Sequence, residues 1–412
     1  MVGGGGREHA LVTALSRSNR VSELYCAPGN AGIAEVAHCL ATDGSVADVL
    51  SLAKKRAIDL TVVGPEAPLV AGIVDAFEAE GLRIFGPNRA AARLEGSKRF
   101  AKDFMARRGV PTAAFASFTD EAEALAYLRE RPLPTVIKDS NLAAGKGVTV
   151  AQTLAEAEAA VRAILGPGGE LVIEDFLSGQ EVSLLLFTDG AAYRPMLLAQ
   201  DYKQAYDGDT GPMTGGMGAV APVALLSDEQ YAYVRKHIVE KTLSGLRAEG
   251  IRYCGVLYIG LMVAGEGARV VEYNVRFGDP ETQVVLPLLQ TDLLEVFEAA
   301  LDGELGGLRL SWSPQASACI VMAAPGYPGE YPKGLPLSLP DTPEGVSIIH
   351  AGTAHTDEGL ASSGGRVLGV TAVAATLTEA LGKAYATTER VGFEGAHYRR
   401  DIGSRLKLAK GE

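Results

Sequence analysis

The stretch Val136–Val148, VIKDSNLAAGKGV, decides how the rest of the chain is read. An apolar run ends on Lys138, and Lys146 stands between Gly145 and Gly147 in the loop that follows. A triphosphate needs cations set against its oxygens and unhindered backbone N–H donors, and this segment offers both. The spacing is not that of a Walker A loop, GxxxxGK[ST]. Alone it also reads as a solvated hairpin turn with two surface lysines, so a second segment has to decide. That segment is Val270–Glu281, VVEYNVRFGDPE. On a strand, Glu272, Asn274 and Arg276 share one face, and Tyr273, Val275 and Phe277 share the other. Oxygen ligands at i and i+2 suit Mg²⁺, which takes one or two protein oxygens and fills its shell with phosphate and water. An arginine two residues on can hold a carboxylate or a transferring phosphoryl group. The alternative is an exposed polar strand face, but the apolar flanks Val270, Val271 and Phe277 argue for a cleft.

Upstream, residues 1 to about 95 alternate short apolar runs with helical stretches. VSELYCAPGN, DLTVVGPEAPL and LRIFGPN each read as a buried strand stopped by Gly, Pro or Asn. Such alternation predicts a parallel sheet with crossover helices and a ligand site beyond the carboxyl ends of its strands. The run Gly3–Gly6 fits a phosphate loop at a helix N-terminus. Only Met1-Val2 precede it, so a start placed late in the natural gene is expected, with a weakened first strand. From about 110 to 300 the strands are only partly separated by helices, which predicts mixed or antiparallel sheets. A third section follows Gly303. The expected domains are 1–97, α/β; 98–303, with a small lid at about 110–177; and 304–412, mixed α+β.

Bulk properties set limits. The 412 residues suffice for several domains, and a net charge of −12 argues against nucleic acid or an anionic membrane as the main partner. Cys26, Cys39, Cys254 and Cys319 are scattered without a CxxC pair, so reduced thiols and a cytoplasmic location are expected. There is no signal peptide or apolar run of spanning length. The six histidines show neither HxH nor HExxH spacing, which disfavours a histidine-held zinc.

These segments carry a resemblance. A glycine-flanked lysine loop, VIEDFLSGQE and a later ExNxR strand resemble the ATP-grasp superfamily. GGGGREHAL, APGNAG, VVGPEAPLVAG, LEGSK, LAAGKGV, DTGPMTGGMGA and RFGDPETQ, in that order, resemble the phosphoribosylamine–glycine ligase family, and YRRDIG near residue 403 extends the match over nearly the whole chain. The resemblance implies a ligase that joins glycine to 5-phosphoribosylamine with ATP and Mg²⁺ or Mn²⁺, through glycyl phosphate, in purine synthesis. Positioning and charge neutralisation dominate such chemistry.

Carried over residue by residue, Lys98 and Lys138 contact ATP, and Gly145, Lys146 and Gly147 cover its phosphates. Glu174 and backbone groups of Asp175 and Leu177 hold the adenine edge, and Glu181 the ribose. Glu272 and Asn274 are the metal ligands. Arg276, Lys138 and Asp209 form the catalytic set. Glycine and the reacting ends meet Gly215, Gly216, Met217 and Asp279. Gly5, Gly6 and Arg7 cradle the ribosylamine phosphate, with Gly5 expected at positive φ, and Asn30, Gly32 and Glu66 hold its ribose. Glycine and phosphoribosylamine are the partners, with no nucleic acid or membrane and room for a transient contact with the enzyme that makes the ribosylamine. The chain departs from the family pattern at Asp139-Ser140-Asn141, for Ala-Asp-Gly, and at Met213, for Asn. Competing readings are another ATP-grasp carboxylate–amine ligase, a silent ATP-binding protein, and a dinucleotide oxidoreductase. The last lacks an acidic residue where its second strand ends, Ala27-Pro28-Gly29-Asn30. His9 reads as a packing residue, and the AHYRRDIG segment as an interdomain salt-bridge cluster.

Overall fold

The computed structural model describes residues 1–142, 147–166, 168–265 and 267–409. Short apolar runs stopped by Gly, Pro or Asn alternate first with helices: β1 (Val2–Gly3), α1 (Gly6–Leu15), β2 (Tyr25–Pro28), β3 (His38–Cys39), α2 (Val46–Lys55), β4 (Thr61–Val62), α3 (Glu66–Ala71), α4 (Ile73–Ala79) and β5 (Ile84–Phe85). β2 pairs in parallel with β1 and β3, β4 with β5, and a parallel bridge from Val2 to Val63 joins the two groups. The order is therefore β3-β2-β1-β4-β5. The two-residue β1 holds because Val2 is buried and the Met1 amine donates to Tyr25 O at 2.7 Å.

α5 (Arg89–Gly96) and α6 (Lys98–Arg108) lead into a small antiparallel sheet. Its elements are β6 (Phe115–Phe118), α7 (Glu121–Arg129), β7 (Thr135–Asp139), β8 (Val148–Ala151), α8 (Leu154–Ile164) and β9 (Leu171–Asp175), in the order β6-β9-β7-β8. Leu128, Ile137, Val161 and Leu171 give this lid its own core. Next come β10 (Gln180–Thr188), β11 (Tyr193–Pro195), β12 (Gln200–Asp201), β13 (Gln204–Tyr206), β14 (Thr210–Met213), β15 (Gly218–Ala221), α9 (Asp228–Val234), α10 (Glu240–Ala248), β16 (Gly255–Ala264), β17 (Gly267–Asn274), α11 (Glu281–Val285) and α12 (Leu293–Leu301). β11-β10-β16-β17 form an antiparallel sheet in which Glu272 lies opposite Gly260, whose missing side chain leaves the carboxylate room.

The last section holds β18 (Ala316–Ala323), β19 (Leu337–Ser338), β20 (Val346–His350), β21 (Thr353–Thr356), β22 (Gly359–Ser362), β23 (Arg366–Ala374), α13 (Leu377–Thr388) and β24 (Gly392–Phe393). Its main sheet is not closed on itself. The order β12-β15-β18-β23-β20 takes two strands from the central section, so the segment between β12 and β15 hangs from a sheet built mostly by the C-terminal one. The hairpin β13–β14 lies in that segment. Fully buried Arg399 donates to Gln204 O at 3.1 Å and Asp209 Oδ1 at 2.9 Å, and pairs with Asp401 at 2.6 Å; Arg405 also grips Asp209. The AHYRRDIG segment is thus an interdomain salt-bridge cluster. Among the described residues no helix is long and apolar enough to cross a membrane.

Helix α1 meets the C-terminal section at His9, whose Nδ1 accepts the His350 N–H at 2.8 Å. Burial, with His350 nearby, lowers the His9 pKa to about 4, so the folded ring is neutral. The group titrates near 6.5 when unfolded. Its contribution to stability is therefore full above about pH 6.5 and is lost as the pH falls towards 4, to a total of roughly 3 kcal/mol. His9→Gln, which keeps an acceptor, should flatten that part of the unfolding free energy between pH 6.5 and 4 in urea titrations. Identical pH slopes for variant and parent would refute the assignment.

Candidate active site

The cleft is built where the lid, the central sheet and α6 meet. Ser97 caps α6, its Oγ accepting the Phe100 N–H at 3.2 Å, and so starts the helix at Lys98. Lys98 Nζ donates to Asn141 O at 3.0 Å, and its N–H to Ser140 O at 2.8 Å; the unusual Asp139-Ser140-Asn141 segment therefore seats this lysine. Lys138, at the end of β7, pairs with Glu174 at 2.8 Å and donates to Val271 O at 3.1 Å. Gly147 O accepts the Asp139 N–H at 2.8 Å, while Gly145 and Lys146 lie outside the described residues.

Glu272 and Asn274 stand on β17 with Asn274 Nδ2 to Glu272 Oε1 at 3.5 Å, and Lys203 Nζ is 3.4 Å from the same oxygen. Burial would raise the Glu272 carboxyl, but Lys203, Lys138, Lys98 and Arg276 outweigh it and hold the pKa at about 2. The result is an ionised, loosely held oxygen donor beside an amide oxygen, with cations around it. Among the described residues no group of three or more His, Cys, Asp or Glu side chains could hold a metal. A hard divalent cation that takes one carboxylate, one amide oxygen, phosphate and water fits this donor set.

Sequence reasoning missed two lysines. Lys102 is buried on α6 and pairs with Glu174 at 2.7 Å. Burial lowers its pKa to about 8 although Glu174 pulls it up. Lys203 is gripped by Glu181 as well as facing Glu272. Lys102 lies at i+4 from Lys98, a signal that was readable as one helix face; Lys203, 69 positions from Glu272, left none.

The structure gives several expected ligand residues other occupations. The Glu174 carboxylate is buried between Lys102 and Lys138, with Oε1 in ionic contact but without a well-directed hydrogen bond. The Asp175 N–H is taken by Ala114 O at 2.9 Å, and Leu177 is half-buried. Asp209, expected among the catalytic groups, has positive φ at a hairpin tip and its carboxylate is committed to Arg399 and Arg405. Asn30 Nδ2 donates to Gly4 O and His350 O, both at 2.9 Å, and Oδ1 accepts the Ile33 N–H. A Cβ on Gly32 would lie 2.5 Å from the His9 and His350 rings. Asn30 and Gly32 therefore staple domains together. The Met217 side chain is wholly buried.

A second set of expected site residues surrounds the start of α1. Gly3, not Gly5, has the positive φ, +117°; Gly5 is extended at φ −93°. Gly5 is needed for another reason, because its N–H donates to Glu8 Oε2 at 2.6 Å and a Cβ there would meet that oxygen at 2.9 Å. A Cβ on Gly6 would strike Gln283 Nε2 at 2.7 Å. Arg7 pairs with Glu8 at 2.6 Å and donates to Phe277 O at 3.0 Å, and its N–H points to Asp279 Oδ2 at 3.4 Å. Glu66 pairs with Arg276 at 3.2 Å; burial would raise its pKa, but Arg276 and Arg7 lower it. Arg276 also reaches Glu95 at 2.8 Å and Asn274 Oδ1 at 3.1 Å. Gly215 and Gly216 lie beside Asp279, all three held by Arg366.

Family models described as Phosphoribosylglycinamide synthetase, N domain, ATP-grasp (A) domain and C domain match residues 1–95, 96–282 and 317–405. The chain is 46% identical over 413 residues to a phosphoribosylamine–glycine ligase of Caldanaerobacter subterraneus subsp. tengcongensis, covering 98% of this chain and 99% of that one. It is 49% identical over 417 residues to that of Xanthomonas axonopodis pv. citri, covering 98% and 97%. The crystal structure of phosphoribosylamine–glycine ligase from Thermotoga maritima superposes with a TM-score of 0.86 at 35% identity, covering 98% of this chain and 99% of that one. The biotin carboxylase domain of Hydrogenobacter thermophilus 2-oxoglutarate carboxylase, at a TM-score of 0.72 and 17% identity over 100% of this chain and 97% of that one, shares the fold alone. With the resemblance in sequence, the three matched domains and the shared fold in agreement, the chain belongs to the phosphoribosylamine–glycine ligase family of ATP-grasp enzymes.

Proposed function

We propose that the chain joins glycine to 5-phosphoribosylamine at the expense of ATP, giving glycinamide ribonucleotide, ADP and phosphate. A glycine carboxylate oxygen attacks the γ-phosphorus and ADP leaves. The ribosylamine nitrogen then attacks the carbonyl carbon of glycyl phosphate, phosphate departs, and the nitrogen loses a proton. The observation that carries this reading is the Glu272–Asn274 pair facing Lys98, Lys138 and Lys203. Glu272 and Asn274 would hold Mg²⁺ or Mn²⁺, which when bound neutralises phosphate charge. Lys98 and Lys138 set cations against the ATP phosphates. Gly145, Lys146 and Gly147 cover them, and Glu181, oriented by Lys203, takes the ribose edge. Arg276 steers the Asn274 amide oxygen and lends the site its charge from behind.

On the acceptor side, Gly5, Gly6 and Arg7 present the N-terminus of α1 to the ribosylamine phosphate, a position that favours anions. Gly215 and Gly216 flank the glycine subsite. A labile amine substrate suits a cytoplasmic enzyme that meets its supplier transiently. The direct test is ADP release with glycine, ATP, Mg²⁺ and ribosylamine generated in place, each omitted in turn. Full turnover needs all four, and release indifferent to glycine would refute the reading.

Glu272→Gln removes one anionic ligand while keeping the shape. It should cut kcat at limiting Mg²⁺ by about 100-fold or more and leave the thermal midpoint near that of the parent. Near-normal turnover at limiting Mg²⁺ would exclude Glu272 as a metal ligand. Gly5→Ala places a Cβ against Glu8 and breaks the mouth of the α1 cradle. It should raise the KM for ribosylamine by about tenfold, the loss expected for one charge-assisted hydrogen bond. Glycine-dependent ATP hydrolysis should persist. An unchanged KM for ribosylamine would move the acceptor phosphate elsewhere.

A further inference from the structure

Arg366 opens β23 in the C-terminal section, yet its guanidinium lies on backbone more than 80 residues away. Nη1 donates to Gly215 O at 2.7 Å, Asp279 O at 2.9 Å and Gly216 O at 3.3 Å, and Nη2 pairs with Asp279 Oδ2 at 3.3 Å. A Cβ on Gly215 would come within 3.0 Å of the guanidinium carbon, so glycine lets the arginine plane lie close against this backbone. Gly216, at φ +112°, would strike Pro280 with any side chain. Tyr327 adds a second C-terminal contact, its hydroxyl accepting the Gly215 N–H at 3.2 Å. Asp279 passes the tie onward: Oδ2 faces the Arg7 N–H at the α1 cradle, and Oδ1 accepts from Gln283 Nε2 at 2.7 Å.

We propose that Arg366 is a positioning residue for the acceptor half of the reaction, holding the glycine loop at 215–216 and the Asp279 segment as one unit, so that the C-terminal domain helps to build the substrate site. This rests on the functional reading above for what the loop binds, but not for the coupling itself. All the hydrogen bonds and the ion pair found for its guanidinium go to the two segments. Lysine is a poor replacement, because its single nitrogen cannot place separate donors on the carbonyls that Nη1 meets and the carboxylate that Nη2 meets.

The test compares Arg366→Met and Arg366→Lys with the parent enzyme. Hydrogen exchange should show weakened protection at 214–217 and 277–283 in both variants, with the lid strands at 135–175 unchanged; this readout needs no substrate. Calorimetry with MgADP should give affinities within about twofold of the parent, since the lysines of the nucleotide side are untouched. The KM for glycine and for ribosylamine should rise about 10- to 100-fold, as expected for losing charge-assisted hydrogen bonds, with the KM for ATP little changed. Unchanged protection in the two segments would overturn the proposal, as would an equal loss of MgADP affinity, which would mark a general structural defect. Weakened protection in the two variants, with a parent enzyme that itself shows no glycine-dependent ADP release, would leave the coupling standing and refute the functional reading.

Discussion

Arg276 is packed between Glu95 at 2.8 Å and Glu66 at 3.2 Å, and the arrangement of the cleft depends on that contact. A guanidinium taken out of water is tolerated only with several well-placed acceptors. Here they come from different places: Glu95 from α5, Glu66 from the start of α3, Asn274 from β17, and Phe277 O from the chain just beyond. Glu95 also accepts the Val275 N–H at 2.7 Å. The strand carrying Glu272 and Asn274 is thereby fixed against the N-terminal sheet. The start of α1 follows, because Arg7 donates to Phe277 O in the same segment.

A second constraint comes from the shared sheet. β12 and β15 leave the central section to pair within the C-terminal sheet, with Ala219 opposite Cys319 and Cys319 opposite Thr371. Everything between them is suspended from that sheet and pinned again at the hairpin tip by Arg399 and Arg405. A loop held at base and tip loses little further freedom on binding a small substrate, which lowers the entropic cost of ordering it. The same logic applies to side chains whose contacts bridge distant segments. Asp209 accepts from the Arg399 and Arg405 guanidinium groups, and Asn30 donates to Gly4 O and His350 O.

On the nucleotide side the charges balance differently. Glu174 lies between Lys102 and Lys138, an arrangement that fixes Lys138 at the cleft. Removing either lysine would leave a buried carboxylate under-compensated. Glu272, by contrast, has among the described residues its polar side-chain contacts at 3.4–3.5 Å, from Lys203 and Asn274. Glu174 is thus tightly paired and Glu272 loosely.

The sequence determined the family, the order of strands and helices, and the residue types at the cleft, because each of these is written in short-range pattern. Alternation on β17 puts Glu272 and Asn274 on one face, and apolar runs stopped by Gly, Pro or Asn mark the parallel strands. The glycine run was legible as the entry to a helix, but its geometry was not: the positive φ falls on Gly3, and Gly5 answers to the Glu8 carboxylate. Partner choice belonged to the tertiary structure alone. Arg366 finds Gly215 across 151 positions and Arg399 finds Asp209 across 190, and nothing local distinguishes an arginine that will do so from a solvated one. A side chain's conformational periodicity is set by its neighbours along the chain, but the charge it will meet is set by how the sheets close, and here one sheet closes with strands from two domains.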